Sequence, residues 1–189
     1  MLDIPCVILS GGKSSRMGED KSLLPFKNST LIEYQYNRLS KIFKKVYISS
    51  KTNKFDFDCD IIYDNNSDIS SPMIALNSIF KTLQEDKIFI ITVDTPLILE
   101  ETIYHLVELC DNYDITIAKD NERVHNLCGV FSKNINQIID QLIEKDIHKI
   151  NYLLKHIENL KIVSFQNNSE FINLNTKEQY NSILKNISL

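Results

Sequence analysis

A chain of 189 residues is long enough to bury a core without disulfide or metal staples, and its length fits one domain spanning 1–189. Its 43% hydrophobic and 24% charged residues are ordinary for a soluble globular protein, and a formal net charge of -4 gives no basic field for nucleic acid. The four cysteines, Cys6, Cys59, Cys110 and Cys128, form no C-x-x-C pair and have no histidine at zinc-ligand spacing, so they read as free thiols.

The start, Met1-Leu2-Asp3-Ile4-Pro5, has neither a basic region nor a long apolar one, which argues against a signal peptide. No run approaches the roughly 18 apolar residues of a membrane span. The expectation is a cytoplasmic protein without membrane or nucleic-acid partners.

Ile4 to Leu9 reads as a buried strand that stops at Ser10-Gly11-Gly12. Thr30 to Glu33 has the pattern of a capping box and predicts a helix to about Phe43, with Leu31, Tyr34, Leu39, Ile42 and Phe43 on its inner face. Val46 to Ser49 and Asp60 to Tyr63 are predicted strands. Ser71-Pro72 starts a helix, with Ser at the N-cap and Pro at the first helical position. Lys87 to Val93 is nearly all apolar and β-branched, as expected of a strand at the centre of a parallel sheet, and it ends at Asp94-Thr95-Pro96.

A helix over Glu100 to Cys110 follows, then strands at Ile115 to Ala118 and Val124 to Phe131. Asn134 to Glu144 and Asn151 to Ile157 read as helices, and Ile162 to Phe165 and Phe171 to Leu174 as late strands. Thr176 to Gln179 is a second capping box, opening a C-terminal helix. This alternation predicts an α/β fold, a three-layer α/β/α sandwich with a mostly parallel sheet. Such sheets bind ligands beyond the carboxyl ends of their strands. That rule singles out Ser10 to Lys21, Asp94 to Pro96 and Asn173 to Thr176.

The first of these reads Leu9-Ser10-Gly11-Gly12-Lys13-Ser14-Ser15-Arg16-Met17-Gly18-Glu19-Asp20-Lys21. Its glycines let the backbone approach a ligand closely, and the exposed amides suit phosphate oxygens. Arg16 supplies a fork of donors and Lys21 a point charge, both suited to a polyphosphate. Gly12-Lys13-Ser14 imitates the end of a Walker A loop, but that motif needs glycine at position 7, which is Val7. The dinucleotide pattern G-x-G-x-x-G is also absent.

This segment resembles the signature of the molybdenum cofactor guanylyltransferases, L-A-G-G-x-S-x-R-M-G-x-D-K. It departs from that signature at Ser10, which replaces Ala. The double glycine favours the guanylyl branch over cytidylyltransferases of the same cofactor, of sugars or of isoprenoids. The resemblance implies a Rossmann-like nucleotidyltransferase fold and transfer of GMP from GTP to a molybdopterin-type cofactor, with release of pyrophosphate and help from Mg²⁺. Leu9, Ser10, Gly11 and Gly12 are then expected at the base and ribose, and Arg16 and Lys21 at the leaving pyrophosphate.

Asp94, read alone, is either a Mg²⁺ ligand at a strand end or the start of a turn before Pro96. The resemblance, through the family's D-x-P, implies the ligand. Phe171-Ile172-Asn173-Leu174-Asn175-Thr176 resembles the family's F-x-N-I-N-T, which implies Asn173 and Asn175 on the acceptor side and Asn175 at the metal. Capping of the last helix is the other reading. Asp64 matches a nucleoside-contacting Asp, though it also suits a loop start beside Asn65. Ser50 stands where relatives have an Asn used for guanine.

Two departures touch the acceptor side. Ser71-Pro72-Met73-Ile74-Ala75 replaces G-P-L-A-G, and His125-Asn126 replaces His-Pro. No covalent intermediate is expected, since positioning and charge neutralisation suffice for this chemistry. The alternatives are a cytidylyl- or uridylyltransferase, or a non-catalytic nucleotide-binding module. A molybdoenzyme or a cofactor-insertion chaperone is implied as a partner by the resemblance alone.

Overall fold

The computed structural model describes residues 1–11, 20–65 and 69–187. In chain order its strands and helices are β1 (Cys6–Leu9), β2 (Pro25–Phe26), β3 (Ser29–Thr30), α1 (Leu31–Leu39), β4 (Val46–Ser50), β5 (Asp60–Tyr63), α2 (Pro72–Thr82) and β6 (Lys87–Thr92). Then come α3 (Glu100–Glu108), β7 (Ile115–Lys119), β8 (Val124–Ser132), α4 (Asn136–Glu144), α5 (Ile150–Lys155), β9 (Leu160–Ser164) and α6 (Lys177–Ile187).

Seven strands form one sheet in the order β5-β4-β1-β6-β8-β7-β9, while β2 and β3 make a separate small hairpin. β6 is the middle strand, parallel to β1 on one side and antiparallel to β8 on the other. β8 is antiparallel to both its neighbours, and the remaining pairings of the large sheet are parallel. The centre of the sheet is therefore mixed rather than parallel on both sides.

Alternation along the buried strands assigns side chains to two cores. Cys6, Ile8, Phe89 and Ile91 face one layer with Leu31, Ile32 and Leu39 of α1, Ile103 and Leu106 of α3, and Ile183 of α6. Val7, Leu9, Ile88 and Ile90 face the other, with Met73, Leu76 and Ile79 of α2, Ile139 and Leu142 of α4, and Leu153 of α5. With helices on both faces, the interior of β6 must be apolar; Ile88, Phe89, Ile90 and Ile91 are fully buried, and each contributes about 1.5–3 kcal/mol of hydrophobic transfer.

The expected caps are present. Thr30 accepts the Glu33 N–H and Ser71 accepts the Ile74 N–H. At α6 the box is reciprocal: Thr176 Oγ1 accepts the Gln179 N–H at 3.2 Å, and Gln179 Oε1 accepts the Thr176 N–H at 3.1 Å. The first helix stops at Leu39, short of Phe43, because the chain turns there to bring Ile42 and Phe43 into the core. Phe171 to Leu174 is not a strand. Asn168–Phe171 is a short 3-10 helix, and the residues after it bond to the Asp94 turn instead of a neighbouring strand. Apolar periodicity alone does not separate these two uses of Phe171 and Leu174, both buried.

Gly129 lies where β8 is squeezed between two neighbours, pairing with Ile90 on one side and Ile117 on the other. Its φ is +156°, and a Cβ there would stand 2.0 Å from the Thr116 carbonyl oxygen and 2.8 Å from Ile117 Cα. Both obstacles are backbone, so they cannot swing aside. Gly129→Ala should cost about 3 kcal/mol or more in urea unfolding, or prevent soluble expression, whereas a loss under 1 kcal/mol would contradict this packing.

Candidate functional site

The parallel register brings the ends of β1, β4, β5 and β6 to one edge. Leu9 lies beside Ser49 and Thr92, and Ser50 beside Tyr63. Past these positions the ladder continues for one more bond each: Ser10 N–H to Ser49 O at 3.0 Å, Val93 N–H to Leu9 O at 3.1 Å, and Asp64 N–H to Ser50 O at 3.2 Å. Ser10, Gly11, Asp64 and Asp94 thus emerge together where strands of an α/β sheet present their ligand-binding loops.

Asp94 sits in a tight turn. Thr92 Oγ1 donates to its Oδ1 at 2.6 Å, and the Thr95 hydroxyl donates back to the Thr92 carbonyl at 2.9 Å. The other carboxylate oxygen, Oδ2, lies 3.8 Å from Lys21 Nζ. Support comes from α1, whose fully buried Gln35 donates to the carbonyls of Thr92 and Val93.

Lys21 opens a 3-10 turn over Lys21–Leu23, capped by Asp20, whose carboxylate accepts from Ser22 N–H and hydroxyl and pairs with Lys54. Its ammonium donates to Asn175 Oδ1 at 2.7 Å. Asn175 precedes the α6 capping box, and its own N–H donates to Gln179 Oε1 at 2.9 Å. Leu174 N–H donates to the Asp94 carbonyl at 2.8 Å, tying the late segment to the β6 end. One ammonium thus joins the glycine-turn side, the central strand and the C-terminal helix.

Asp64 completes the opposite side. Its Oδ1 accepts from the Ser49 hydroxyl at 3.2 Å, and its Oδ2 is 3.9 Å from where a Gly11 side chain would start. Burial raises its pKa above the ordinary carboxylate value, only partly offset by the Ser49 bond and the Lys51 charge. Two hollows open at this edge. One is lined by Leu9, Gly11, Asp64, Ser71 and Pro72, and the other by Asp94, His125, Asn126 and Asn173. Thr92 and Leu127 line both.

The expected residues distribute as follows. Leu9, Gly11 and Asp64 share the first hollow, and Asp94 and Asn173 the second, while Lys21 and Asn175 bridge to Asp94. Ser10 is buried and its hydroxyl has no hydrogen-bond partner among the described residues. Ser50 closes β4, but its hydroxyl donates to the Thr52 carbonyl at 2.9 Å, and it is Ser49 that reaches Asp64. Gly12 and Arg16 lie outside the described residues. The sequence reading missed Thr92 and Ser49. A hydroxyl two residues before the strand-end acid is a signal for Thr92. Ser49 is recoverable only from the register of β4 against β5.

The donor set at Asp94 suits a hard divalent cation. It offers a carboxylate and the Asn175 amide oxygen, which already share one cation, the Lys21 ammonium. Among the described residues no group of three His, Cys, Asp or Glu forms a protein cage. An ion with few protein ligands, completed by phosphate and water, fits this arrangement.

Fold and site together define a nucleotide-handling α/β protein with its charged machinery at the carboxyl edge of the sheet. A family profile described as a MobA-like NTP transferase domain matches residues 6–160. The chain is 41% identical over 180 residues to the molybdenum cofactor guanylyltransferase of Campylobacter jejuni subsp. doylei, covering 94% of each chain. It is 36% identical to that of Helicobacter pylori over 184 residues, covering 94% of this chain and 90% of the relative. Among solved structures, molybdopterin-guanine dinucleotide biosynthesis protein A of Archaeoglobus fulgidus superposes with a TM-score of 0.82 at 16% identity, covering 98% of this chain and 99% of that one. The chain belongs to the MobA-like NTP transferase family.

The raised pKa of Asp64 has a consequence for stability. A carboxyl whose folded pKa lies above its unfolded value opposes folding once ionised, so that its unfavourable contribution grows as pH rises from the unfolded toward the folded value and is complete above it. Asp64→Asn should therefore raise the melting temperature of the ligand-free protein at pH 7, with the gain fading as pH falls toward the ordinary Asp value of about 4 and absent below it. A lower melting temperature at pH 7 would show that the carboxylate is favourably held there.

Proposed function

We propose that this chain transfers GMP from GTP to the phosphate of a molybdopterin-type cofactor, giving the guanine dinucleotide form and pyrophosphate. The observation that carries this reading is the Lys21 ammonium, 2.7 Å from Asn175 Oδ1 and 3.8 Å from Asp94 Oδ2, at the edge where β1 and β6 end. The names of the curated relatives support the substrate pair.

An oxygen of the acceptor phosphate attacks the α-phosphorus of GTP. The new P–O bond forms as the bond from the α-phosphorus to the bridging oxygen of the β-phosphate breaks, and that oxygen leaves with the pyrophosphate. Lys21 and Arg16 meet the negative charge that grows on the leaving group. Leu9, Ser10, Gly11 and Gly12 hold the base and ribose through backbone groups, with Asp64 at the nucleoside and Ser50 close to the base. Asp94 and Asn175 would hold a Mg²⁺ ion, which would supply charge neutralisation to the phosphates. Asn173 faces the acceptor. The reaction is placed in the cytoplasm, and the product passes to a molybdoenzyme or to a chaperone that inserts it. No described helix is long and apolar enough to cross a membrane.

Lys21→Ala and Asp94→Ala should each lower kcat by about 10²–10³-fold while circular dichroism shows an intact fold. Near-normal turnover in both variants would sink the site assignment. Among GTP, CTP, UTP and ATP with Mg²⁺, GTP should raise the melting temperature most, by the equivalent of about 2.7 kcal/mol at a hundredfold excess over its Kd. A larger shift with CTP would instead assign a cytidylyltransferase.

A further inference from the structure

The turn that joins β7 to β8 is organised by one buried carboxylate. Asp120 accepts the N–H groups of Glu122 at 2.8 Å and Arg123 at 2.7 Å, and it pairs with His125 Nε2 at 3.0 Å. The Asp120 N–H donates to the Arg123 carbonyl at 3.0 Å, closing the turn. The His125 ring lies flat on Phe171, with ring centroids 4.4 Å apart and planes inclined by 19°. The backbone of Arg123 is therefore fixed from beneath, while its side chain stands at the surface.

Because β8 runs against β6, its first residues lie at the edge where β6 ends, and the turn overlooks Asp94. Arg123, Asn126, Asn173 and Asp94 line the same hollow. Arg123 is the single Lys or Arg among the described residues lining it, and no described carboxylate forms an ion pair with it. Asn173 contributes a buried side-chain carbonyl oxygen with no hydrogen-bond partner among the described residues. An unpaired acceptor in the wall and a permanently charged fork at the rim together complement a ligand with N–H donors and a negative charge beyond its reacting end.

We propose that Arg123 is a binding residue for the acceptor, its guanidinium receiving an anionic group that the acceptor carries away from its reacting phosphate. This rests on the reading of the chain as a guanylyltransferase. Molybdopterin fits the requirement, since it has pterin N–H donors and dithiolene sulfurs remote from its phosphate. The interaction exists before and during phosphoryl transfer alike, so it governs acceptor affinity and not the chemical step.

The test measures binding and turnover side by side. Pterin fluorescence titration of molybdopterin, with an α,β-methylene GTP analogue present, should give a Kd raised about 10–100-fold in Arg123→Ala and by less in Arg123→Lys. The acceptor KM should rise in parallel, with kcat and the KM for GTP within about twofold of wild type. Glu122→Ala, an exposed neighbour outside the hollow, should behave as wild type. An unchanged acceptor Kd in Arg123→Ala, with the wild type turning over, overturns this inference and leaves the transferase reading standing. A fall in kcat at unchanged acceptor Kd overturns it too, since it moves Arg123 into the chemistry. A wild type that binds GTP but neither binds molybdopterin nor releases pyrophosphate with it overturns both.

Discussion

An ammonium held between a carboxylate and an amide oxygen is the contact on which the rest of this site depends. Lys21 reaches Asn175 across 154 positions of sequence, and Asp94 stands within ion-pair distance of the same nitrogen. Each partner is fixed by its own local chemistry: Lys21 by the Asp20-capped turn, Asp94 by Thr92, and Asn175 by the reciprocal cap of α6. The Lys21 and Asp94 side chains are mostly shielded from water, which strengthens their mutual field compared with an exposed pair. In the proposed reaction a polyphosphate would meet charges already in place here, which would leave little reorganisation for the chemical step.

The sheet explains why these groups converge. Parallel strands deliver their carboxyl ends to a single edge, and β1, β4, β5 and β6 use this to bring Gly11, Ser49, Asp64 and Asp94 together. β8 is the exception. Its reversed direction sends its beginning to that same edge, so a tight hairpin turn, and not a long crossover, faces Asp94. The polar support is also uneven. Gln35 and Arg38 of α1 bond to carbonyls at Thr92, Val93 and Ile98, so the Asp94 turn rests on directed hydrogen bonds from one helix in addition to apolar packing.

Much of this was legible in the chain itself. The alternation of apolar runs located the strands and most helices, and α1, α2 and α6 also announce themselves by side-chain caps at Thr30, Ser71 and Thr176. The glycine-rich segment and the strand-end Asp94 pointed to the edge that the fold does assemble. What escaped was set by tertiary context. Phe171 and Leu174 are apolar and alternating, yet they are used to dock the late segment onto the Asp94 turn. The direction of β8 leaves no trace in its composition, since a buried strand reads alike whichever way it runs. Ser50 and Ser49 are adjacent and identical, and only the pairing of β4 with β5 decides which hydroxyl meets Asp64.

Thr92 and Leu127 form the boundary shared by the two hollows. The two hollows thus share a wall. Whatever immobilises it from one side changes the shape offered on the other, and thermodynamic linkage makes the effect on the two affinities mutual. In the proposed reaction, nucleotide and acceptor would meet across these two side chains.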